Sequence, residues 1–195
     1  MTDERLERWL AGVVRTPGLT AVGLSDARRV LLEDSLRATD LVRRFPGLVV
    51  DVGSGGGAPG IPLAAALPER ELVLLEAQRK KCAFLERVAR DFPNVRVVWG
   101  RAEEQEVDLF GVAVAKALAP PQVATEWCLA LVRPGGAAIL WVGPSADVEA
   151  VARVSEQLGG GPPEEHDGLL VVPKVAPTPA GFPRRPGVAK KRPLA

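Results

Sequence analysis

The sequence predicts an α/β fold with a mainly parallel central sheet, helices on both faces and a small N-terminal helical part. From Leu48 onward, short apolar runs of strand length alternate with segments of helical periodicity, which is typical of βαβ units. A glycine-rich stretch, Asp51–Gly60, lies between the first such run and the first such helical segment. A strand, a glycine turn and a helix in this order indicate a Rossmann-like fold.

The N-terminal part is predicted to be helical. Glu4–Val14 carries apolar residues near helical spacing, and Pro17-Gly18 ends this helix. A second helical pattern follows Ser25 and stops before Pro46-Gly47. Ser25 is the expected N-cap because its hydroxyl can accept a hydrogen bond from a free backbone N–H of the first turn.

The remaining elements alternate along the chain. Six strands are predicted, over Leu48–Gly53, Leu72–Glu76, Val95–Gly100, Leu109–Lys116, Ala137–Val142 and Leu169–Val175. Four helices are predicted between them, over Ile61–Leu67, Arg79–Phe92, Gln122–Leu131 and Ala146–Leu158. Arg133-Pro134-Gly135-Gly136 is predicted to form a tight turn before the fifth strand.

Length and composition predict one globular domain. The chain has 195 residues, of which 47% are hydrophobic and 25% charged, and both values are ordinary for such a domain. No apolar run is long enough to span a membrane, and the N-terminus lacks the pattern of a secretory signal, so we expect a cytoplasmic protein. His166 is the only histidine, and Cys82 and Cys128 have no partner at metal-ligand spacing. We therefore expect no metal site and two buried cysteines.

The glycine-rich turn predicts a nucleotide-cofactor site. Glycines such as Gly53 and Gly55 allow positive φ and a close approach of ligand, and the following helix offers free N–H groups. Glu76 ends the next apolar run, at a distance where a carboxylate can meet a ribose hydroxyl. Asp51 would repel a pyrophosphate but not the ammonium and sulfonium of S-adenosyl-L-methionine. We expect Asp51 to orient that ammonium, directly or through water, with support of the glycine turn as its alternative role. This cofactor is favoured over NAD, with a glycine turn that binds no ligand as the remaining alternative.

The C-terminal end is strongly basic. The last fifteen residues contain no acid and five cations, which are Arg184, Arg185, Lys190, Lys191 and Arg192. Such a segment attracts polyanions through counterion release, and its prolines and glycines predict no regular secondary structure; a solvated tail is the alternative. We divide the single domain into N-terminal helices (1–45), a cofactor-binding α/β core (46–176) and a basic C-terminal segment (177–195).

Several motifs together resemble one family. They are Asp51–Gly60 with Ile61-Pro62-Leu63-Ala64, Glu76-Ala77-Gln78-Arg79-Lys80-Lys81 with Phe84-Leu85, Arg101-Ala102-Glu103, Ala115-Lys116-Ala117, and Phe182-Pro183-Arg184-Arg185-Pro186-Gly187 with Lys190-Lys191. From about Leu31 to the C-terminus, the chain resembles the bacterial small-subunit ribosomal RNA guanine-N7 methyltransferases, also called glucose-inhibited division protein B. The glycine turn is shared by all class I methyltransferases, whereas the Gly-x-Pro-Gly-Ile-Pro continuation and the basic Pro-Arg-Arg-Pro-Gly ending are more specific.

The resemblance implies a class I S-adenosylmethionine methyltransferase fold, in which the sixth strand is here expected to be short or absent. The residues that it implies for the cofactor are Gly53 and Ala58 in the loop, Glu76, Ala77 and Gln78 at the adenosine, Ala102 and Glu103 beside adenine, and Lys116 facing the methyl group. Lys116 would also contact guanine O6 or a phosphate, which makes it the catalytic candidate. The implied partner is small-subunit ribosomal RNA, naked or in an assembling subunit, with the five C-terminal cations as RNA contacts.

The implied chemistry needs few side chains. Guanine N7 carries an in-plane lone pair and no proton, so methyl transfer requires alignment and exclusion of water rather than a general base. The family usually has Arg at the position of Lys116 and His at that of Leu31, although Asp34-Ser35-Leu36 is retained and the N-terminal part is shorter. Two alternatives stay open: a noncatalytic RNA-binding or ribosome-assembly protein that retains the fold, and an NAD-binding oxidoreductase, which would need a second catalytic domain.

Overall fold

A computed structural model describes residues 3–195. Seven strands form one sheet: β1 (Val49–Val52), β2 (Leu72–Glu76), β3 (Val95–Trp99), β4 (Phe110–Ala115), β5 (Val132–Trp141), β6 (Glu164–His166) and β7 (Leu169–Pro173). Their order in space is β3-β2-β1-β4-β5-β7-β6. Strands β1 to β5 pair in parallel, and β7 runs antiparallel to both β5 and β6. The structure confirms the predicted α/β class, and the expected sixth strand is present with three residues.

The helices alternate with these strands as predicted. They are α1 (Glu4–Arg15), α2 (Leu24–Ala27), α3 (Asp34–Leu36), α4 (Thr39–Arg43), α5 (Gly60–Ala66), α6 (Arg79–Ala89), α7 (Pro121–Leu131), α8 (Val148–Gln157) and α9 (Val188–Lys191). A π-helical turn (Arg28–Glu33) joins α2 to α3, and a 3₁₀ turn (Ala102–Glu104) follows β3. Helix α9 lies in the basic C-terminal segment, so the prediction that this segment has no regular structure was wrong for these four residues.

The second N-terminal helix begins two residues earlier than predicted, at Leu24. Its N-cap is Gly23, whose carbonyl accepts a hydrogen bond from the Asp26 N–H at 3.1 Å. The predicted N-cap Ser25 instead lies inside the helix, and its hydroxyl contacts the Asp26 carboxylate at 3.3 Å. The N-cap prediction was therefore wrong, because extended Gly23 already satisfies the geometry that starts the helix.

The predicted tight turn at Arg133–Gly136 lies within β5 rather than before it. Strand β5 pairs with β4 at Phe110↔Val132 and again at Val112↔Ala137. The four residues between these pairs therefore bulge opposite the single residue Gly111, and Gly135 takes a φ of +86°. Pairing with β4 on both sides of the bulge makes the turn an irregularity of one long strand.

Helices cover both faces of the sheet and bury three contacting groups of apolar side chains. One face holds α7, α8 and the buried Ala189 of α9 against the sheet. The opposite face holds α4, α5 and α6, with α1 and the π-helical turn packed outside them. Both cysteines are buried and unpaired, as predicted.

The strand order reverses at β1, which lies between β2 and β4. In an open parallel sheet, the crevice at the carboxyl ends of the strands at such a point is where ligands bind. The glycine turn after β1 and the segment after β4 therefore meet at the position where a ligand site is expected.

Candidate cofactor and substrate site

The turn after β1 requires glycine at several positions. Gly53, Gly55 and Gly57 have φ values of +73°, +56° and +101°, which L side chains rarely adopt. A Cβ at Gly53 would also lie 2.3 Å from Leu118 Cδ1. The turn therefore runs in direct contact with the chain that follows β4.

Three side chains hold this turn in place by hydrogen bonds. Asp51 Oδ2 accepts a hydrogen bond from the Gly60 N–H at 3.0 Å, and the Ser54 hydroxyl donates to the Asp51 carbonyl at 2.8 Å. The indole Nε1–H of Trp9 in α1 donates to the Gly56 carbonyl at 2.8 Å. Trp9 was not predicted to belong to the site, because in the sequence it is one of the apolar residues at helical spacing in Glu4–Val14.

Glu76 joins the glycine turn to the chain after β2. Its Oε2 accepts from the Gly55 N–H at 2.9 Å, and its Oε1 accepts from the Gln78 N–H at 2.8 Å. The residue is only 6% exposed. A carboxylate has about four acceptor positions, so two bonds fix its orientation and leave capacity for ligand hydroxyls.

A first cavity of about 380 Å³ lies beside Glu76. Most of the predicted cofactor residues line it, namely Gly53, Glu76, Ala77, Gln78, Ala102 and Glu103. Its volume lies within the range of small-molecule sites. The wall residues that were not singled out from the sequence for this site include Lys81, Leu118, Trp127 and Lys190. They come from four separate parts of the chain, and only the folded structure brings them together.

A second cavity of about 330 Å³ lies on the other side of Gly53. Its walls include the glycine turn with Gly55 and Ala58, the π-helical turn with Val30 and Leu31, and Lys116. Gly53, Lys81 and Ala117 line both cavities. The two cavities are therefore neighbours, separated by the carboxyl ends of β1 and β4.

Lys116 is held by the N-terminal helices. Its Nζ lies 2.5 Å from Asp34 Oδ2, donates to the Val30 carbonyl, and lies 5.9 Å from the centre of the Trp141 ring. Burial opposes ionisation of Asp34, but hydrogen bonds from Lys116 and Arg37 outweigh it and lower the pKa of that carboxyl. Asp34 and Lys116, the cation that follows β4, thus form an ion pair.

Asp51 lines neither cavity. It is 1% exposed, and burial raises the pKa of its carboxyl to about 7. Its Oδ1 has no hydrogen-bond partner within residues 3–195. Two roles were considered from the sequence, contact with the cofactor and support of the turn. The hydrogen bond from the Gly60 N–H to Asp51 is one that supports the turn.

The basic C-terminal segment is folded onto the domain. Arg184 forms a two-pronged ion pair with Glu126, at 2.7 and 2.5 Å, and Glu126 is 3% exposed. Four cations on the same segment are exposed and have no ion pair within the described residues: Arg185, Lys190, Lys191 and Arg192. Lys190 differs from the other three because its side chain also lines the first cavity.

Two other features considered in residues 3–195 are a metal-binding group and a membrane-spanning helix. Residues 3–195 contain no group of three or more His, Cys, Asp or Glu side chains that could hold a metal ion. Within the same residues, no helix combines the length and apolar character that crossing a membrane requires. His166 is partly exposed and contacts Glu164 at 3.4 Å, away from both cavities.

Comparison with known proteins gives one consistent result. The sequence profile of the GidB family, described as rRNA small subunit methyltransferase G, matches residues 19–158. A ribosomal RNA small subunit methyltransferase G from Moorella thermoacetica is 38% identical over 165 residues, covering 75% of this chain and 69% of that protein. One of the same name from Carboxydothermus hydrogenoformans is 36% identical over 213 residues, covering 98% and 90%.

A solved structure shares the fold. The SAM-dependent O-methyltransferase from Thermotoga maritima superposes with a TM-score of 0.62 over 88% of this chain and 72% of that one, at 14% identity. This likeness shows that the two chains share the same arrangement of sheet and helices.

Proposed function

The chain belongs to the rRNA small subunit methyltransferase G family, and on this premise we propose that it methylates N7 of a guanine in small-subunit ribosomal RNA. Its methyl donor is S-adenosylmethionine. The observation that carries the proposal is the pair of neighbouring cavities on either side of Gly53, one beside the Glu76 carboxylate and one beside Lys116.

The first cavity fits S-adenosylmethionine. Glu76 presents an oriented carboxylate to the ribose hydroxyls, and Ala77 and Gln78 extend the same wall. Ala102 and Glu103 lie at the 3₁₀ turn, where a second carboxylate suits the exocyclic amine of adenine. A carboxylate at the ribose also suits NAD, so the choice of S-adenosylmethionine rests on membership of the methyltransferase family.

The second cavity fits the acceptor base. When bound, S-adenosylmethionine supplies a methyl group activated by its sulfonium. Guanine N7 has a free lone pair, so the protein has to align the base and exclude water but does not have to remove a proton. Apolar side chains of Val13, Leu19, Val30 and Leu31 line this cavity beside the glycine turn, and such walls suit a planar base.

Lys116 is the proposed catalytic residue. Asp34 and the Val30 carbonyl take two of its three N–H donors and hold the ammonium at the wall of the second cavity. The third donor can reach guanine O6 or a phosphate of the substrate. Lys keeps the charge that the family usually carries on Arg but lacks the bidentate fork, and the contact to Asp34 positions it instead.

RNA contacts are proposed at the exposed C-terminal cations Arg185, Lys191 and Arg192. Arg184 was predicted to contact RNA as well, but its guanidinium is bound to Glu126, so we assign it to anchoring the segment. We propose that the chain acts as a single domain in the cytoplasm, with N-terminal helices (1–45), a core (46–176) and a basic segment (177–195). Its partner is the small-subunit RNA or an assembling subunit.

The test is to map 7-methylguanosine in small-subunit ribosomal RNA from cells with and without this protein. We expect one modified guanine to disappear without it and to return when the purified chain and S-adenosylmethionine are added to that RNA. RNA binding without any methylation would support the noncatalytic alternative. Calorimetric titration separates the cofactors: we expect S-adenosylhomocysteine to bind, and binding of NADH alone would support an oxidoreductase.

A further inference from the structure

The basic C-terminal segment is anchored to the domain at three points. Thr178 N–H and hydroxyl both donate to the Asp108 carboxylate, at 3.0 and 2.7 Å. Arg184 pairs with buried Glu126, and Ala189 in α9 is 1% exposed against the core. These contacts give the segment a fixed path over the domain surface.

That path runs along the first cavity. The Gly187 N–H donates to Glu103 Oε1 at 3.0 Å, and Glu103 lines the cavity at its proposed adenine end. Three residues further on, Lys190 lies 5.6 Å from the centre of the Trp127 ring. Lys190 and Trp127 both line the cavity, so the segment contributes a side chain to its wall.

We propose that the basic C-terminal segment is the outer wall of the cofactor cavity and that Lys190 contacts the adenosine part of S-adenosylmethionine. The ammonium of Lys190 is a hydrogen-bond donor, and the ring nitrogens of adenine are acceptors. The Gly187 N–H engages one oxygen of Glu103 and orients the other toward the exocyclic amine of adenine. This inference rests on the cofactor assignment above and adds to it a cofactor role for a residue predicted to contact RNA.

The neighbouring residue Lys191 provides a matched control. Both lysines belong to α9 and both are exposed cations, so they contribute equally to the charge of the segment. Only Lys190 lines the cavity. A general electrostatic contribution would make the two residues equivalent, whereas a cofactor contact involves Lys190 alone.

The experiment is calorimetric titration of the full chain and of its Lys190→Ala and Lys191→Ala variants, with S-adenosylhomocysteine and separately with adenosine. We expect Lys190→Ala to weaken both ligands by about 5-fold or more and Lys191→Ala to change neither by more than about 2-fold. Equal affinities of the two variants would overturn the inference, as would a loss for S-adenosylhomocysteine without one for adenosine.

These outcomes are separate from those that test the proposed function. If the unaltered chain bound neither ligand, the cofactor assignment itself would be wrong. If it bound both and the two lysine variants behaved alike, only the role of Lys190 would be lost. Matching thermal unfolding of the two variants verifies that neither exposed substitution has changed the fold.

Discussion

The carboxylate of Glu76 accepts a hydrogen bond from the Gly55 N–H, across 21 residues of sequence and 2.9 Å of space. The bond connects the end of β2 to the turn after β1, and it fixes the carboxylate at the wall of the first cavity. A glycine turn and a carboxylate that belong to different βα units thereby become one binding surface.

Replacing Glu76 by Ala is expected to lower the affinity for S-adenosylhomocysteine at least tenfold. The change removes ribose hydrogen bonds to an anionic acceptor, each worth about 1.5–3 kcal/mol, and it also frees the Gly55 N–H. Calorimetry measures the effect. Glu86→Ala is the matched control because Glu86 is an exposed acid on the adjacent helix α6. Unchanged binding by Glu76→Ala would show that Glu76 is not the ribose ligand.

The sequence was sufficient to predict this part of the site because its residues are tied to strand ends. Gly53 and Glu76 lie where β1 and β2 stop, and parallel neighbouring strands bring such ends together. Trp9 and Lys190 could not be identified in the same way. Each reaches the site through packing of a distant helix or segment, and neither has a local pattern that distinguishes it from a core tryptophan or a surface lysine.

The same distinction explains the errors at the level of the fold. Apolar periodicity located β1, β2 and β4 because each of these strands is buried on both faces. It could not predict that β5 continues through the bulge at Arg133–Gly136, since that depends on its register with β4. Apolar periodicity also could not predict that Arg184 pairs with Glu126, which lies 58 residues earlier in the chain. This ion pair fixes the C-terminal segment on the domain.

Lys116→Ala is expected to reduce methyl transfer by about 100-fold, the loss typical of a misplaced reacting group, while S-adenosylhomocysteine binding changes little. Lys116→Arg should retain at least the original rate, because a guanidinium can hold Asp34 and still present a donor to the base. Single-turnover methylation of the native RNA measures both variants. Lys80→Ala, on an exposed lysine of α6, is the control. Normal turnover in Lys116→Ala would leave Lys116 as a purely structural partner of Asp34.

Asp34→Asn tests whether that ion pair positions Lys116. The change removes the negative charge 2.5 Å from Lys116 Nζ while keeping the side-chain shape. We expect a slower methyl transfer at saturating cofactor, and we expect the double variant Asp34→Asn with Lys116→Ala to be no slower than Lys116→Ala alone. Additive losses in the double variant would contradict a shared role.

Asp51 makes the stability of the protein depend on pH. Burial raises the pKa of this carboxyl from 3.8 to about 7, so between these values the folded chain binds more protons than the unfolded chain. The free energy of unfolding therefore falls as pH rises through this window, and the penalty is fully present above about pH 7. A shift of this size corresponds to an effect on the order of 4 kcal/mol.

Asp51→Asn should flatten this dependence, because the variant has no titrating group at the site. Urea unfolding at about pH 5 and about pH 8 measures the difference. Asp40→Asn is the control, since the Asp40 side chain is 93% exposed and its removal should leave the pH profile unchanged. An identical pH profile in Asp51→Asn and the unaltered protein would show that Asp51 is ionised throughout the window.

Arg184 and Arg185 are adjacent cations with different expected roles. Arg184→Ala leaves the buried carboxylate of Glu126 without its partner, which is expected to destabilise the protein by about 3–5 kcal/mol. Arg185→Ala should leave stability unchanged, because Arg185 is exposed. Chemical denaturation compares the two variants directly. Equal stabilities would mean that Arg184 does not anchor the segment.

The exposed cations of the C-terminal segment should control the affinity for RNA without changing the cofactor site. Replacing Arg185, Lys191 and Arg192 together by Ala removes three cations that have no ion pair within the described residues. RNA affinity should fall, and its salt dependence should flatten by up to about 0.7 log units per lost contact on single-stranded RNA. S-adenosylhomocysteine binding should stay unchanged. Deleting residues 182–195 is expected to have a second effect. The deletion also removes Lys190 and the Gly187 N–H bound to Glu103, so we expect it to weaken cofactor binding as well. An unchanged salt slope in the triple variant would show that these cations are only solvated.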